Sequence, residues 1–494
     1  MFTREIERLV RLLLIIFILV GFTAAYWAIW GPDQLLPRED NPRLVLAEAR
    51  IQRGNIYDRN GTLLVRSVSD KSGFISREYL YEAFYSALGY YSLRHGVGGA
   101  EAAYNEILRG DDLPVDYFRQ LLHYPRQGSD IQLTFDLDIQ QTLAQLMRGH
   151  TGAAVVMRVP DGAVLGLISA PTYNPNLLDE QWDELRNAPD DPIFNRPLQG
   201  QYQPGGMLQL PLVAAALLTG QSVDALYDNG TQAVIVDNLV VGCIQRPERT
   251  DISLYEAFLY GCPFPFVQAG QAIGQERISR IFETFSLNTP VSIPGFVPEE
   301  LDGETEPTPE STPEITTSFE EFLLGQGNLT VNPFNIALIL AATINHGDAP
   351  QPYALLASKP PFNDSWSIVD NKRPTLAFMT EELAHQLKAF LQSNIQQGAA
   401  QIAYHEGWDM GGYVARAFSG EGAESWFAGY ISSDNGENSV VVVIVLEDID
   451  NPQLAAQLGG DLLAHIAQNG SLLKKHITPY YKSYILQEFG AKYH

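Results

Sequence analysis

The chain has 494 residues, of which 45% are hydrophobic, and it is long enough to bury a large core divided between about two or three domains. Its formal net charge is -26 at pH 7. Such an acidic surface repels polyphosphate, so the composition predicts no nucleic-acid partner. The acidity itself identifies no other partner and is explained by solubility.

An uncharged apolar run near the N-terminus, Leu12–Trp30, has the length of about 20 residues that crosses a bilayer as a helix. Arg4, Arg8 and Arg11 precede this run, and basic residues favour the cytoplasmic side of a membrane. Residues 1–11 are therefore predicted to form a cytoplasmic tail. The chain is expected to cross the cytoplasmic membrane once, with the N-terminus inside and most of its residues outside.

A cleaved signal peptide is the alternative interpretation of this run, with Thr23 and Ala25 as the cleavage-site residues. The apolar run continues past them through Tyr26, Trp27 and Trp30, which are aromatic residues suited to the outer membrane interface. This continuation favours an uncleaved anchor.

The rest of the chain divides by composition into a linker at residues 31–42, a small domain at 43–129, a larger domain at 130–470 and a C-terminal tail at 471–494. Three prolines favour an extended linker. Within the larger domain, residues 298–320 are acidic, rich in Pro and Thr, and almost free of large apolar groups. These residues are predicted to form a disordered surface loop, because they offer too little surface to bury.

Two pairs of predicted strands enclose a helical region in the larger domain. Gly152–Val159 and Gly162–Ser169 flank a Pro-Asp-Gly turn, which is typical of a hairpin. Trp426–Ser432 and Val440–Leu446 form the second pair. The helices predicted between them include 208–218, 333–345 and 380–397. This order predicts an α+β fold, in which helices flank an antiparallel sheet and a helical lobe is inserted.

The two cysteines of the chain, Cys243 and Cys262, both lie in the predicted extracytoplasmic part, where a disulfide persists. A bridge between them is the prediction. Two buried free thiols are the alternative, since the sequence does not give their separation. The histidines are scattered without metal-ligand spacing, so neither a metal nor a cofactor is predicted.

Several longer patterns resemble one known family. Arg53–Gly61 (RGNIYDRNG) resembles the opening of the pedestal domain in class B penicillin-binding proteins. Leu133–Asp136 resembles the entry to the transpeptidase domain of that family, and Tyr202–Gly205 resembles the approach to its nucleophile. Gly325–Gly327 and Val331–Pro333 resemble the helix region before its third motif. The resemblance, closest to the smaller class B members, implies a pedestal at 43–129 and a penicillin-binding, serine β-lactamase-like transpeptidase domain at 130–470.

Three motifs meet in one cleft in that family. Ser-x-x-Lys places a nucleophile one helical turn from the lysine that activates it. Ser-x-Asn relays protons and holds the substrate backbone. Lys-Thr-Gly or Lys-Ser-Gly, on an edge strand, supplies a cation and a ledge that pairs with an extended peptide.

The sequence departs from the family at the first two motifs. Gly206 stands at the position of the nucleophilic serine, and Gln209 stands at the position of the lysine. Gly261 and Pro263 replace the serine and the asparagine of the second motif. Acyl transfer needs a nucleophile and a base within hydrogen-bond reach, and these four residues supply neither.

The third motif is predicted at Met410 to Gly412, where an uncharged methionine replaces the lysine. The backbone N–H groups of Gly206 and Tyr413 are expected to remain as part of an oxyanion hole, and such donors hold a carbonyl without acylating. Cys262 is the one reactive side chain near the inferred cleft, but no histidine neighbours it in sequence. No catalytic residue is therefore predicted.

The sequence thus predicts a membrane-anchored penicillin-binding protein homologue in peptidoglycan biogenesis, a non-catalytic scaffold or stem-peptide-binding protein and not an enzyme. The alternative is an active D,D-transpeptidase or carboxypeptidase with catalytic residues elsewhere in the chain, and a β-lactam sensor is a third possibility. The resemblance implies the peptidoglycan stem peptide and a SEDS-type glycan polymerase as partners, by fold-level analogy alone.

Overall fold

The computed structural model describes residues 2–35, 46, 48–69, 71, 73–114, 124–236, 239–296, 318–369, 375–420, 422–433 and 438–469. The predicted tail at 471–494, residues 36–42 of the predicted linker and residues 298–317 of the predicted acidic loop lie outside these ranges. The last three residues of that loop are described, and the loop prediction is wrong for them. Ser318 caps a helix that begins at Phe319, because its side chain accepts a hydrogen bond from the backbone N–H of Glu321.

The N-terminal helix, α1, extends over Phe2–Leu35. Its part from Arg8 to Tyr26 is long and apolar enough to cross a membrane, and these 19 residues are not buried against the rest of the protein. The helix includes the first five residues of the predicted linker, so the prediction of an extended chain is wrong at 31–35.

A six-stranded sheet links the small domain to the larger one. Its strand order is β15 (Ser367–Ile368), β14 (Leu355–Lys359), β6 (Asp130–Leu133), β1 (Ile56–Tyr57), β2 (Leu63–Ser69) and β3 (Ile75–Tyr79). Strands β1 and β6 pair in parallel, while β14 pairs with β6 in antiparallel orientation. Because β6, β14 and β15 follow residue 129, this sheet crosses the predicted boundary and joins the two domains. The elements that precede this boundary are β1 Ile56–Tyr57, β2 Leu63–Ser69, β3 Ile75–Tyr79, α2 Tyr85–Leu88, β4 Tyr91–Ser92, β5 Gly96–Val97, α3 Gly99–Ala103 and α4 Asn105–Arg109.

A buried ionic cluster lies beneath this sheet. The side chains of Arg53 and Glu101 are fully buried, and that of Arg77 is 1% exposed. Glu101 Oε2 accepts a hydrogen bond of 2.7 Å from Arg53 Nη2, and Glu101 Oε1 accepts one of 2.7 Å from Arg77 Nε. Burial alone raises the pKa of Glu101, but the attraction of Arg77 and Arg53 outweighs it and leaves that pKa below the ordinary value.

The larger domain contains a five-stranded antiparallel sheet with the order β17-β18-β19-β7-β8, and both predicted strand pairs are confirmed. Its elements are β6 Asp130–Leu133, α5 Leu137–Leu146, β7 Gly152–Val159, β8 Val164–Ala170, α6 Leu178–Arg186, α7 Arg196–Gln199, α8 Gln209–Leu218, β9 Leu226–Tyr227, β10 Val234–Val236, β11 Leu239–Val241, β12 Ile252–Ser253, α9 Leu254–Tyr260, α10 Phe264–Ile273, α11 Gln275–Thr284, α12 Phe319–Leu323, α13 Pro333–Ile344, β13 Asp348–Ala349, β14 Leu355–Lys359, β15 Ser367–Ile368, β16 Leu376–Ala377, α14 Glu381–Gln397, β17 Asp409–Ser419, β18 Gly422–Ser432, β19 Ser439–Leu446 and α15 Pro452–Asn469.

Both faces of this sheet are covered by helices. Side chains of α5 and α15 pack on one face, and side chains of α8 and α13 pack on the other. Strand β19, with the sequence SVVVVIVL, is buried along its whole length, which suits β-branched residues. The helix α8 is thereby fixed against the sheet, and its first residue, Gln209, lies close to the edge strand β17.

Candidate active-site cleft

A tight turn leads from Tyr202 into α8 and carries the first motif. The backbone of Tyr202 exchanges two hydrogen bonds of 2.9 Å with Val331. Gly205–Leu208 then form a 3-10 helix that continues directly into α8. A Cβ atom added to Gly206 would lie 3.6 Å from Gln209 Nε2, so the two replaced positions of the first motif face each other as the sequence predicted.

Gly205 itself allows the turn to approach the sheet. Its φ is +50°, and a Cβ atom there would lie 2.2 Å from the carbonyl oxygen of Arg416. On the opposite side its backbone N–H donates a 3.0 Å hydrogen bond to Gly325. Only glycine fits this position, which explains the Pro-Gly sequence before the motif.

The edge strand β17 carries the residues predicted for the third motif. A Cβ atom on Gly206 would lie 3.2 Å from the Cβ atom of Ala415. Gly412 precedes Ala415 by three residues, or roughly 10 Å along an extended strand. The structure therefore brings Ala415 to the first-motif turn, while Met410–Gly412 lie nearer the start of the same strand. Their assignment to the third motif stays a prediction, because a strand has no local marker of its register against another element.

The side chain of Tyr413 points toward this turn. Its hydroxyl donates a 3.0 Å hydrogen bond to the carbonyl oxygen of Met207, and its ring lies 5.4 Å from that of Phe258. Burial raises the pKa of Tyr413, so the side chain is neutral. The Tyr413 hydroxyl thus reaches the turn. The oxyanion-hole role of the Gly206 and Tyr413 backbone N–H groups stays a prediction.

The second motif lies at the end of α9. Gly261 has a φ of +63° and ends this helix, and Pro263 immediately precedes α10. The space that a serine side chain would need is occupied, because a Cβ atom on Gly261 would lie 2.7 Å from Ile244 Cδ1. Cys262, which lies between these two residues in sequence, is bonded to Cys243 as a disulfide.

A pair of carboxylates lies behind the first motif, and the sequence prediction missed it. Glu447 accepts a 2.7 Å hydrogen bond from the Tyr202 hydroxyl and a 3.0 Å hydrogen bond from Arg196 Nε. Glu424 is 7% exposed, and its Oε2 atom has no hydrogen-bond partner. Burial, followed by the repulsion of Glu447, raises the pKa of Glu424 to about 7. A glutamate in the apolar run of β18 was the available signal.

The chemistry of the cleft follows from these residues. Gly206 and Gln209 supply neither a nucleophile nor a base, and the nearby Tyr413 hydroxyl is neutral. Across the described ranges, no group of three or more His, Cys, Asp or Glu side chains is placed to hold a metal ion. None of the four residues predicted at the first two motifs, Gly206, Gln209, Gly261 and Pro263, has a nucleophilic or basic side chain.

Comparison with known proteins defines the class. Residues 152–477 match the penicillin-binding protein transpeptidase domain, and residues 53–127 match the penicillin-binding protein A dimerisation domain. The chain therefore belongs to the penicillin-binding protein transpeptidase family, and the resemblance and the fold inferred from the sequence are confirmed.

Two relatives and one solved structure illustrate the match. The chain is 26% identical to the peptidoglycan D,D-transpeptidase PbpA of Mycolicibacterium smegmatis, over 94% of this chain and 97% of that protein. It is 27% identical to PbpA of Mycobacterium tuberculosis strain H37Rv, over 83% and 85%. Penicillin-binding protein A from M. tuberculosis, solved as an imipenem acyl-enzyme complex, superposes with a TM-score of 0.73 at 23% identity, covering 86% of this chain and 100% of that one.

Proposed function

We propose that this protein is a membrane-anchored, non-acylating member of its family that acts as a scaffold or peptide-binding protein in peptidoglycan biogenesis. The cell-wall role is transferred from the relatives, which are named peptidoglycan D,D-transpeptidases. The observation that supports the loss of acylation is the arrangement at Gly206, where the nucleophile position has no side chain and lies beside an amide in place of an amine.

The neighbouring positions support the same proposal. The Cβ atom of Ala415 leaves a serine at position 206 little room, since 3.2 Å is a tight contact between two such carbons. Ile244 fills the place of the second-motif hydroxyl, and Tyr413 is neutral. Several replacements that fit one another sterically are expected when a cleft is maintained as packed structure after its chemistry has been lost.

An active D,D-transpeptidase or carboxypeptidase with relocated catalytic residues is the second candidate, and the D,D-transpeptidase activity for which the relatives are named favours it. Glu424 is a titratable group near the first motif with a pKa suited to a general base. Against this candidate, the adjacent Ser425 hydroxyl donates to the carbonyl of Ile449 and is already engaged.

Labelling with a fluorescent penicillin tests the two candidates. The full-length protein in detergent is expected to give no covalent product, with M. tuberculosis penicillin-binding protein A as the positive control. Gly206→Ser alone is expected to stay unlabelled, because a serine without its base is a weak nucleophile. Gly206→Ser combined with Gln209→Lys and Ala415→Gly is expected to label slowly, since catalytic groups act as a unit. Stoichiometric labelling of the unmodified chain, mapped to one residue, supports the enzyme.

Membrane orientation and partners belong to the same proposal. Arg8 and Arg11 at the start of α1 favour an N-terminus inside and a cleft outside the cytoplasmic membrane. A SEDS-type glycan polymerase is the proposed membrane partner, and an unlinked stem peptide is the proposed ligand. Crosslinking from α1 and β2 should recover the polymerase; recovery of other membrane proteins alone would count against this partner.

A further inference from the structure

A short segment after β11, Gly242–Gln245, lies against the end of α9. The backbone N–H of Ile244 donates a 3.3 Å hydrogen bond to the carbonyl of Gly261, and that of Gln245 donates a 3.0 Å hydrogen bond to the carbonyl of Tyr260. Helix ends leave such carbonyls without partners inside the helix. The segment therefore occupies backbone acceptors at the second motif of the cleft.

The side chain of Ile244 fills the space next to Gly261. Its Cδ1, Cγ1 and Cβ atoms would all lie within 3.1 Å of a Cβ atom on Gly261, so no larger residue fits there while Ile244 stays in place. Ile244 also packs against the hydrophobic cluster that contains Ala400 and Met410. Displacement of this side chain would uncover an apolar surface at the second motif.

The disulfide joins the residues next to this contact. Cys243 immediately precedes Ile244, and Cys262, which is fully buried, immediately follows Gly261. We propose that segment 242–245 is an internal plug of the cleft and that the Cys243–Cys262 bridge is the latch that holds it. Reduction by a dithiol transfers two electrons and two protons to the bridge, giving two thiols and the cyclic disulfide of the reductant.

The remaining contacts explain why the plug depends on the latch. Cys243 and Ile244 are only partly buried, and the hairpin that leads to them exposes 69% of Ile235 and 61% of Val240. Two backbone hydrogen bonds and one partly buried side chain stabilise the segment only weakly when the covalent link is broken. Regions with few buried contacts open locally while the core stays folded.

Hydrogen exchange of the full-length protein in detergent, before and after treatment with dithiothreitol, tests the proposal. The amides of Ile244 and Gln245 should exchange at least about tenfold faster after reduction, while those of α8 and α9 stay unchanged. Alkylation of both cysteines verifies that the bridge is reduced.

Two variants with the bridge intact separate the plug from the latch. Ile244→Gly should speed exchange at Gln245 without a reductant, whereas Ile235→Gly, which removes the same side chain from the exposed hairpin, should not. Unchanged exchange at 244 and 245 with both thiols alkylated would overturn the latch. Equal acceleration in α8 and α9 would also overturn it, because the bridge would then stabilise the domain as a whole. Neither result depends on whether penicillin labels the protein.

Discussion

The pedestal contains buried charged side chains that are paired with one another, whereas the cleft has uncharged residues at its predicted motif positions. In the pedestal, the fully buried Glu101 has a charged partner at each carboxylate oxygen, Arg53 and Arg77. In the cleft, the residues predicted at the positions of the family's nucleophile, base and cation are Gly206, Gln209 and Met410, and none of them carries a charge. Buried charge persists where every member of a cluster is paired, because an unpaired buried charge is far more costly than an apolar replacement.

The two regions also differ in what happens when a charged or catalytic side chain is lost. Removal of Glu101 from the pedestal cluster leaves two buried guanidinium groups without their carboxylate. The cleft positions, by contrast, are filled from neighbouring elements, by Ala415 near Gly206 and by Ile244 at Gly261. In the proposed function, the non-acylating cleft is repacked with apolar side chains, whereas the loss of Glu101 would leave buried charge unpaired.

The largest expected effect is at the centre of the pedestal cluster. Glu101→Gln should destabilise the protein by about 3–5 kcal/mol, because Arg53 and Arg77 would remain buried without a counter-charge. Chemical unfolding of the two chains measures this change. Glu78→Gln, which removes the exposed partner of Arg66, is the control and should leave the unfolding midpoint unchanged. Equal effects of the two substitutions would show that the cluster is not what stabilises the pedestal.

Two adjacent glycines in the cleft should respond very differently to alanine. Gly205→Ala should cost about 2–4 kcal/mol, because the new Cβ atom meets the Arg416 carbonyl at 2.2 Å and the positive φ strains any side chain. Gly206→Ala should cost less than about 1 kcal/mol, since its nearest neighbour is a methyl group at 3.2 Å. Thermal unfolding of both variants measures the difference. A larger loss from Gly206→Ala would contradict the close approach described for Gly205.

The smallest expected effect is a pH dependence from Glu424. Its pKa is raised from 4.5 to about 7, so the folded state binds a proton that the unfolded chain has released, and stability falls as pH rises through this window. Between pH 5 and pH 8, Glu424 should lower the free energy of unfolding by about 2–3 kcal/mol. Glu424→Gln should remove this decrease. Unfolding at both pH values measures it, with Glu406→Gln, an exposed carboxylate, as the control.

A persistent pH dependence in Glu424→Gln would place the titrating group elsewhere. The pedestal cluster should respond in a separate window, because the lowered pKa of Glu101 confines its loss of stability to more acidic conditions, below the ordinary value of 4.5. Comparison of Glu101→Gln and Glu424→Gln across pH therefore distinguishes paired from unpaired buried carboxylates within one chain.

Local patterns in the sequence determined much of the fold. The apolar run predicted a membrane-spanning helix, the Pro-Asp-Gly turn predicted the hairpin of β7 and β8, and helical periodicity predicted α8, α13 and α14 close to their observed bounds. The Gln-Pro-Gly sequence located the predicted first motif, because the tight turn at Gly205 admits only glycine. In each case the signal and the structure lie in the same short stretch of chain.

Only the tertiary structure decided how distant segments meet. The residue of β17 that faces Gly206 is set by packing between a strand and a turn some 200 residues apart in sequence. The same holds for Ile244 at Gly261, and for Glu424, whose pKa depends on burial and on Glu447, which immediately follows the neighbouring strand β19. Register, occupied space and dielectric environment are relations between segments, and no local pattern of residue types specifies them.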